Sequence, residues 1–323
     1  MAALTTQALL ARERGDYATA HAGYEEALAM ARADDNEVDV AAALAGLGAV
    51  AIRVGDAAGG RALLERALTV YRALGDTRGL ARTLVELTLD AVSAGANERA
   101  EAVGVEALAL FRALGDTGPI SEALFALGTA VQNGGHDARA EALHEESLAL
   151  HRRRGDDLGA TRPISALGLL ALRRGDLLQA QTLLTDALAT VRRHEHRWAR
   201  AMTLTLLGHV ELASGAVGGA RALFEESATL FQDIGNPLFL PWLLEGLAGV
   251  AAAPGSFDRA ALLCGARDTW QTARGASLPP ANPTGHAHTV ATVRAALGEK
   301  VFVQARARGG ALPLERVIAP ELL

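Results

Sequence analysis

The chain has 323 residues, half of them apolar, and a formal net charge of −6 at pH 7. This charge argues against direct nucleic-acid binding, which needs a basic surface. The single cysteine, Cys264, excludes disulfides within the chain and thiolate metal clusters. No apolar stretch of about 18 residues is present to span a membrane, and the N-terminus lacks a signal sequence. We therefore expect a cytoplasmic protein with no membrane contact.

Glycines recur at a fixed interval of forty residues along most of the chain. One series consists of Gly15, Gly55, Gly95, Gly135, Gly175, Gly215 and Gly255. A second series lies between them and contains Gly75, Gly115, Gly155, Gly235 and Gly275, with Asp35 and Glu195 where a glycine is missing. A constant period of this length indicates a stacked repeat protein. The length alone suggests two or three domains, whereas such a stack is one continuous body.

Residues 38–77 show what one repeat contains. Apolar residues in its first half recur at spacings of three and four, which indicates one face of a helix. Gly55 is expected to end this helix in the left-handed conformation, and Asp56 is expected to cap the next helix. A second apolar stripe then runs up to Gly75. Each repeat is therefore predicted to be a helical hairpin, and the fold is predicted to be all-α.

Three positions keep the same kind of residue from repeat to repeat. They are a leucine-glycine pair (Leu47-Gly48, Leu127-Gly128, Leu167-Gly168 and Leu207-Gly208), an alanine (Ala20, Ala100, Ala140, Ala180, Ala220 and Ala260) and a large apolar residue (Tyr24, Leu64, Leu184 and Phe224). This pattern resembles the tetratricopeptide repeat over residues 1–275. The resemblance implies a right-handed α-solenoid, a superhelix of seven hairpins of about 40 residues each.

The two ends of the chain depart from the repeat pattern. After residue 275, prolines break the helical spacing, which returns over 286–308 and again from Leu312 to Ile318. We therefore predict a C-terminal helical cap at 276–323. Met1 falls inside the expected first helix, so no N-terminal capping helix is expected, although solenoids need polar caps. We expect either that the chain is a piece of a larger protein or that a partner covers its first repeat.

Short blocks near the C-terminus carry a second resemblance. They are Leu263–Ala266, Leu278–Pro280, Arg294–Glu299 and Leu312–Glu315. They look like the end of the repeat region in LuxR-related and maltose-activator-type signal-transduction ATPase transcription regulators. That resemblance implies a sensor region that binds an inducer or a partner and relays it to an ATPase and a DNA-binding domain. No ATPase domain is expected in this chain, since the only lysine, Lys300, lies outside any phosphate-binding loop motif. No DNA-binding domain is expected either, since no helix-turn-helix of the regulator type is recognisable after the repeats.

The tetratricopeptide resemblance also implies where a ligand would bind, because in that family the first helix of each hairpin lines a concave groove. Mapped onto this register, the groove residues are Arg82, Glu86, Glu122, Phe125, Thr129, Gln132, Asn133, Arg162, Ser165, Arg173, Met202, Thr205, His209, Trp242 and Glu245. Apolar walls with a few polar anchors suit a small effector or a peptide. Phe125 and Trp242 stand out in a chain poor in aromatics. Arg162 and the pair His209 and Glu245 are the first residues to test.

Few residues are candidates for catalysis or metal binding. Cys264 falls at a large apolar position of the repeat, so we expect a buried core thiol. His194 and His196, like His286 and His288, are two residues apart, which does not place them on one helical face. We expect these histidines to be exposed. The sequence thus predicts no enzyme activity, no cofactor and no metal site.

Charged residues also follow the repeat. An acidic row contains Glu26, Glu106, Glu146, Asp186 and Glu226, and an arginine row contains Arg72, Arg112, Arg152 and Arg192. Both rows are expected on the solvated outer face, with the arginines complementing helix C-termini. An anion contact at the arginine row is the alternative.

Three hypotheses for the function follow. The first is a non-catalytic sensor or adaptor module of a transcription regulator, which binds a small effector or a peptide in the groove. The second is a free-standing protein-protein interaction scaffold that docks an extended or helical segment. The third is an enzyme that uses the groove as its active site.

Overall fold

The computed structural model describes residues 2–234, 239–273 and 278–318, and all regular secondary structure in these ranges is helical. The predicted all-α class of tandem helical hairpins is therefore confirmed. The chain divides into two compact units, residues 1–163 and residues 164–323. The boundary predicted near residue 275 stays a prediction, and Gly235 and Gly275 of the glycine series lie outside the described residues.

Unit 1 consists of four helical hairpins and the start of a fifth. The helices are α1 (Ala2–Glu13), α2 (Tyr17–Ala33), α3 (Glu37–Val54), α4 (Ala57–Leu74), α5 (Thr77–Ser93), α6 (Asn97–Leu114), α7 (Thr117–Asn133), α8 (Asp137–Arg153) and the first part of α9 (Asp157–Arg174). The two helices of each hairpin pack together, and the first helix of one hairpin also packs on the first helix of the next. The first helices α1, α3, α5 and α7 thereby form one layer and the second helices another.

Unit 2 continues the hairpins and adds the C-terminal helices. It contains the remainder of α9, α10 (Leu177–Arg193), α11 (Arg197–Ala213), α12 (Val217–Ile234), α13 (Leu240–Ala252), α14 (Phe257–Ala273), α15 (Pro283–Leu297), α16 (Glu299–Ala311) and α17 (Leu314–Val317). With α13/α14 the chain completes seven helical pairs. The helices α15 to α17 pack on α14, and their role as a cap stays a prediction.

The glycine period marks the turns between helices. Ten glycines of the two series have φ between 65° and 100°, the left-handed conformation that glycine adopts without strain. Where the second series lacks a glycine, Asp35 (φ 49°) and Glu195 (φ 52°) take the same conformation. They are the only non-glycine residues with positive φ in the described ranges. The turn geometry is therefore kept even where the residue is unfavourable.

Replacing Glu195 by glycine is expected to stabilise unit 2 by about 0.5–1 kcal/mol. The left-handed conformation costs a non-glycine residue roughly 1–2 kcal/mol, and glycine removes this cost. The greater conformational freedom of glycine in the unfolded chain cancels part of the resulting gain in stability. The matched control is Gly175→Ala, which puts a side chain at φ 80° and should destabilise. Urea unfolding measures both variants, and a lower midpoint for Glu195→Gly would contradict the strain argument.

Glycine also sets how closely the two helices of a hairpin approach. A Cβ added at Gly48 would lie 2.8 Å from the carbonyl oxygen of Gly60 and 2.9 Å from Leu64 Cγ, closer than Cβ atoms pack. The glycines of the other leucine-glycine pairs face the equivalent large residue in the same way, at Gly128 against His144, Gly168 against Leu184 and Gly208 against Phe224. The predicted fit of a large side chain against a small one is confirmed. It also places a histidine, His144, at this core position.

The acidic and arginine rows face each other between neighbouring hairpins. The ion pairs join Arg72 to Glu106 at 3.9 Å, Arg112 to Glu146 at 2.9 Å and Arg192 to Glu226 at 3.3 Å. These side chains are one third to more than one half exposed, so each pair contributes about 0–1 kcal/mol to stability. The sequence left open an anion contact at the arginine row. For these three arginines, carboxylates of the chain itself make that contact.

The C-terminal helices are held by a close helix crossing. At this crossing Gly265 of α14 lies against the backbone of Arg306 in α16, and Gly309 of α16 lies against the backbone of Leu262. A Cβ at either glycine would overlap the facing carbonyl oxygen. Phe302 and Cys264 are fully packed in the core beside it. Gly265, the glycine of the Leu263–Ala266 block, is therefore required by the close packing of α14 on α16.

Candidate functional site

The predicted groove residues fall into two sets, one in each unit. In unit 1, Arg82 and Glu122 are exposed, Gln132 is buried, and the others are half-buried, namely Glu86, Phe125, Thr129, Asn133 and Arg162. In unit 2, Arg173 is half-buried and the other six are buried, namely Ser165, Met202, Thr205, His209, Trp242 and Glu245. Their role in binding stays a prediction for both sets.

In unit 1 the centre of the set is Glu86 on α5. Its carboxylate forms ion pairs with Arg12 at 2.8 Å and with Arg53 at 3.7 Å. Burial raises the pKa of Glu86, but the positive charges of Arg12, Arg53 and Arg162 outweigh it, so the pKa lies below the usual value. Glu86 is therefore ionised at neutral pH, with arginines from three different helices around it.

Arg162 also connects this cluster to an aromatic ring. Its guanidinium carbon lies 4.3 Å from the centroid of the Phe125 ring, a cation–π contact. Such contacts contribute about 0.5–2 kcal/mol, depending on how far they are desolvated. The structure thus brings together Glu86, Phe125 and Arg162 on the first helices of three successive repeats. A charged group stacked on a half-exposed ring, beside a carboxylate, offers both polar and apolar contacts to a ligand.

A buried polar pair lies directly beneath Phe125. The His144 ring lies 5.6 Å from the Phe125 ring, and its Nε2 is 3.3 Å from Gln132 Oε1. Burial lowers the pKa of His144 to about 4, so the imidazole is neutral at pH 7. His144 Nδ1 and Gln132 Nε2 have no hydrogen-bond partner. Gln132, predicted as a groove residue, is therefore a partner of a core histidine.

In unit 2 a non-helical segment of the chain binds three of the predicted residues, Arg173, Trp242 and Glu245. This segment, Leu278–Asn282, is called the strap below. Four hydrogen bonds join its main chain to side chains of other elements. Gln271 Nε2 donates to the Leu278 carbonyl (2.7 Å), Trp242 Nε1 to that of Pro279 (2.8 Å), Arg173 Nη2 to that of Pro280 (3.3 Å), and the Asn282 N–H donates to Glu245 Oε1 (3.1 Å). The Asn282 carbonyl also accepts the His286 N–H at the start of α15 (2.8 Å). We call Arg173, Trp242, Glu245 and Gln271 the strap site.

Glu245 is the electrostatic centre of the strap site. It is 4% exposed, and its Oε2 lies 3.6 Å from Nε of the equally buried Arg267. Burial raises the pKa of Glu245, opposed by the Asn282 N–H and by the nearby His286 and Arg267. Neither Glu245 Oε2 nor Arg267 Nε has a hydrogen-bond partner. The carboxylate is thus buried with only part of its hydrogen bonding satisfied.

His209 supports the site from below. Its Nε2–H donates to the carbonyl of Trp242 at 2.8 Å, and its ring packs edge-on against Phe224 at 5.2 Å between centroids. Burial lowers the pKa of His209 to about 4. The histidine predicted to act with Glu245 instead fixes the backbone beneath Trp242.

The remaining predicted residues of unit 2 are interior. The Thr205 hydroxyl donates to the Ala201 carbonyl and lies 2.8 Å from the Ser227 hydroxyl, which also bonds Ala201. Ser165 and Met202 are buried in their helices. These three side chains contribute to packing between helices. The repeat register alone could not distinguish such interior positions from positions on an exposed face.

The histidine pairs differ from the expectation that all four are exposed. His194 and His288 are exposed, but His196 and His286 are half-buried. His196 Nδ1 accepts the N–H of Ala199 and caps α11. His286 lies beside Glu245, and burial lowers its pKa. The sequence analysis did not predict that His286 lies near Glu245, because the turn of the chain before α15 brings the two residues together.

Two residues around Glu86 were also missed. Arg53 occupies the same repeat position as Arg173, which lies three forty-residue repeats later. The register could therefore have identified Arg53. Arg12 has no equivalent arginine in later repeats. Its role depends on the packing of α1 beside α3 and α5.

The cysteine and the possible metal ligands of the described residues were candidates for chemistry in the sequence. Cys264 is buried, as predicted, and burial raises the pKa of its thiol to about 11, which disfavours the thiolate. No group of three His, Cys, Asp or Glu side chains in these ranges is placed to hold a metal ion. Within the same ranges, no helix has the length and apolarity needed to cross a bilayer.

These features define a helical-repeat protein of tetratricopeptide-like hairpins. Two solved structures share the fold: a Rap protein in complex with competence and sporulation factor (TM-score 0.66, 17% identity, 84% of this chain and 74% of that chain covered) and BtubC from P. vanneervenii (TM-score 0.51, 20% identity, 66% and 90% covered). At this identity the likeness is one of fold. No family model matches the chain, and no curated protein matches its sequence.

Proposed function

We propose that the chain is a non-catalytic binding module that takes an extended peptide segment of a partner on the first helices of its hairpins. The observation that carries the proposal is the strap. Side chains at Arg173, Trp242 and Glu245, chosen from the repeat register, bind the main chain of a non-helical segment in this structure. Helical-repeat scaffolds commonly bind peptides on extended surfaces. The Rap protein, which shares the fold, was solved with a factor bound to it.

The Glu86 cluster of unit 1 supports the same function. Phe125 is half-exposed and carries the guanidinium of Arg162 on its face, so an apolar side chain and a polar group can be bound together. Aromatic and arginine side chains are the residues that most often dominate binding energy at interfaces. We propose Arg162 and Phe125 as the anchor of unit 1.

A narrower proposal is that this module is the sensor region of a transcription regulator of the LuxR-related, maltose-activator kind. It is supported by the tail blocks Leu263–Ala266, Leu278–Pro280, Arg294–Glu299 and Leu312–Glu315 alone. Sequencing the gene upstream of the Met1 codon tests it. An ATPase domain in the same reading frame would support the sensor. A stop codon there would favour the free-standing scaffold.

Peptide binding can be tested by panning a phage-displayed library of random ten-residue peptides against the full chain. We expect enriched peptides whose affinity, measured by calorimetry, falls roughly tenfold or more in Arg162→Met. This change removes a charged donor, and such a loss costs about 1.5–3 kcal/mol.

Arg192→Met is the matched control, because Arg192 pairs with Glu226 on the other helical layer and should leave affinity unchanged. Melting temperatures of both variants report on the fold. A library without enriched sequences, or peptides equally bound by every variant, would count against the function. A small effector would instead appear as a ligand-induced rise in melting temperature in a metabolite screen.

A further inference from the structure

We propose that the strap is a resident substitute for the partner peptide, and that a partner segment of similar chemistry binds the strap site by displacing it. The partner segment would be extended, uncharged and proline-containing. The inference rests on the proposed peptide-binding function and adds its regulation: the site in unit 2 is closed by the chain itself until a competing segment replaces residues 278–282.

The strap site recognises main chain rather than side chains. The carbonyls of three consecutive residues, 278 to 280, each accept a hydrogen bond from a different side chain, and one N–H, that of Asn282, is donated to Glu245. Recognition of this kind tolerates other sequences, because every extended peptide offers the same carbonyls. A foreign segment can therefore replace the strap without any change in the site.

The prolines of the strap explain the chemistry expected of the partner. Pro279 and Pro280 carry no N–H, so the main chain presents acceptors to the donors of Trp242 and Arg173 without burying unpaired donors. Prolines also hold a segment extended before it binds, which lowers the entropy lost on binding. The partner is thus expected to carry proline at the two central positions.

The contacts beneath the strap are incompletely satisfied. Glu245 Oε2 and Arg267 Nε are both buried, are 3.6 Å apart, and have no hydrogen-bond partner. A buried polar group without a partner is costly. The Asn282 N–H donates to Oε1 of the carboxylate, and the Ala281 N–H also lowers the pKa of Glu245. A partner that brings a further donor to Oε2 gains a contact that the strap lacks, and this difference favours exchange.

The rest of the cap has its own attachment. Val293 of α15 and Phe302 and Ala305 of α16 are completely buried in the core of unit 2. The strap itself buries the side chains of Leu278 and Ala281. Asn282 is also the N-cap of α15, where its side chain accepts the Gly285 N–H and its carbonyl accepts the His286 N–H. Opening of the strap therefore frays at most the first turn of α15, while the buried residues Val293, Phe302 and Ala305 hold α15 and α16 in place.

Hydrogen exchange on the full wild-type chain tests whether the strap opens alone. We expect the Asn282 amide to exchange at least about tenfold faster than the helical amides of Val293 and Phe302, as local opening does relative to global unfolding. Equal protection of these amides would overturn the proposal, because strap and cap would then open only together. This measurement needs no variant and no ligand.

Competition is tested with the fluorescein-labelled, amidated peptide LPPANPT, the chain's own residues 278–284. Leu278→Asp puts a charge in a buried position and should expel the strap, whereas Leu312→Asp, at a leucine that is 40% exposed, is the matched control. We expect fluorescence anisotropy to show at least about tenfold tighter binding to Leu278→Asp than to wild type or Leu312→Asp. Adding Trp242→Phe to Leu278→Asp should remove most of this gain.

The outcomes separate the two proposals. If the panned peptides bind wild type and a folded Leu278→Asp equally well, the strap is no competitor, and the peptide-binding function stands. If neither those peptides nor LPPANPT binds any folded variant, the peptide-binding function itself fails. Circular dichroism shows whether Leu278→Asp is folded, and hydrogen exchange on the wild type decides the matter if it is not.

Discussion

Gly309→Ala is expected to lower the free energy of unfolding of unit 2 by roughly 3 kcal/mol. Overpacking a tight core costs about 1–3 kcal/mol and occasionally more, and here the new methyl group meets the carbonyl of Leu262. A helix backbone cannot give way as a flexible side chain can, so α14 and α16 must move apart. Gly265→Ala should behave alike, since it meets the carbonyl of Arg306 at the same crossing.

The control for this prediction is Gly218→Ala in α12. No atom lies within 4 Å of a Cβ added there, so alanine should stabilise the helix by about 0.5–1 kcal/mol through its propensity. Urea unfolding, followed by circular dichroism, compares the variants. If Gly309→Ala were as stable as Gly218→Ala, the close crossing that anchors the cap would be refuted.

The second large effect is a loss of stability in mild acid. Burial holds the pKa of His144 and that of His209 at about 4, against 6.5 in the unfolded chain. As the pH falls below 6.5 the unfolded chain takes up these protons first, so each unit loses stability down to about pH 4. Between pH 7 and pH 5 the loss is roughly 2 kcal/mol for each histidine. Urea unfolding at the two pH values measures it.

The double variant His144→Leu/Gln132→Leu isolates the contribution of unit 1. Leucine occupies the position of His144 in two other repeats, at Leu64 and Leu184, and replacing both members of a buried polar pair by apolar residues can be neutral or stabilising. We expect unchanged or higher stability at pH 7 and the loss in acid to be reduced by the share of His144. The single change His144→Leu should be worse, because it leaves Gln132 without a partner. An acid loss that is the same in the double variant and in the wild type would disprove this assignment.

The sequence alone determined the repeat fold because its signals are local and recur. Glycine at the turns reflects the left-handed φ of a single residue, and the apolar spacing reflects one helix face, so each repeat confirms the next. Even Asp35 and Glu195, where glycine is missing, could be assigned to turns from the period. The small and large residues of each hairpin likewise follow from one interface repeated along the chain.

The register placed the candidate residues on the first helices of the hairpins, but it did not determine whether each side chain is buried or exposed. In unit 1, Glu86, Phe125 and Arg162 do lie together, while Gln132 turns inward to His144. The helix face that was mapped as the groove contains both buried and exposed positions. The packing of the neighbouring helices determines which positions are buried. Arg12 joined the cluster only through the packing of α1.

What only the tertiary structure decided is the position of the strap. Trp242, Glu245 and Arg173 appear in the sequence as side chains of an open surface, yet residues 278–282, which follow α14 after a gap in the repeat pattern, bind over them. The repeat period contains no information about a segment that lies outside it. Hydrogen bonds and buried side chains determine the position of the strap. In three of its four hydrogen bonds to side chains, the two partners are 37 or more residues apart in the sequence. Such pairings become visible only once the helices are packed.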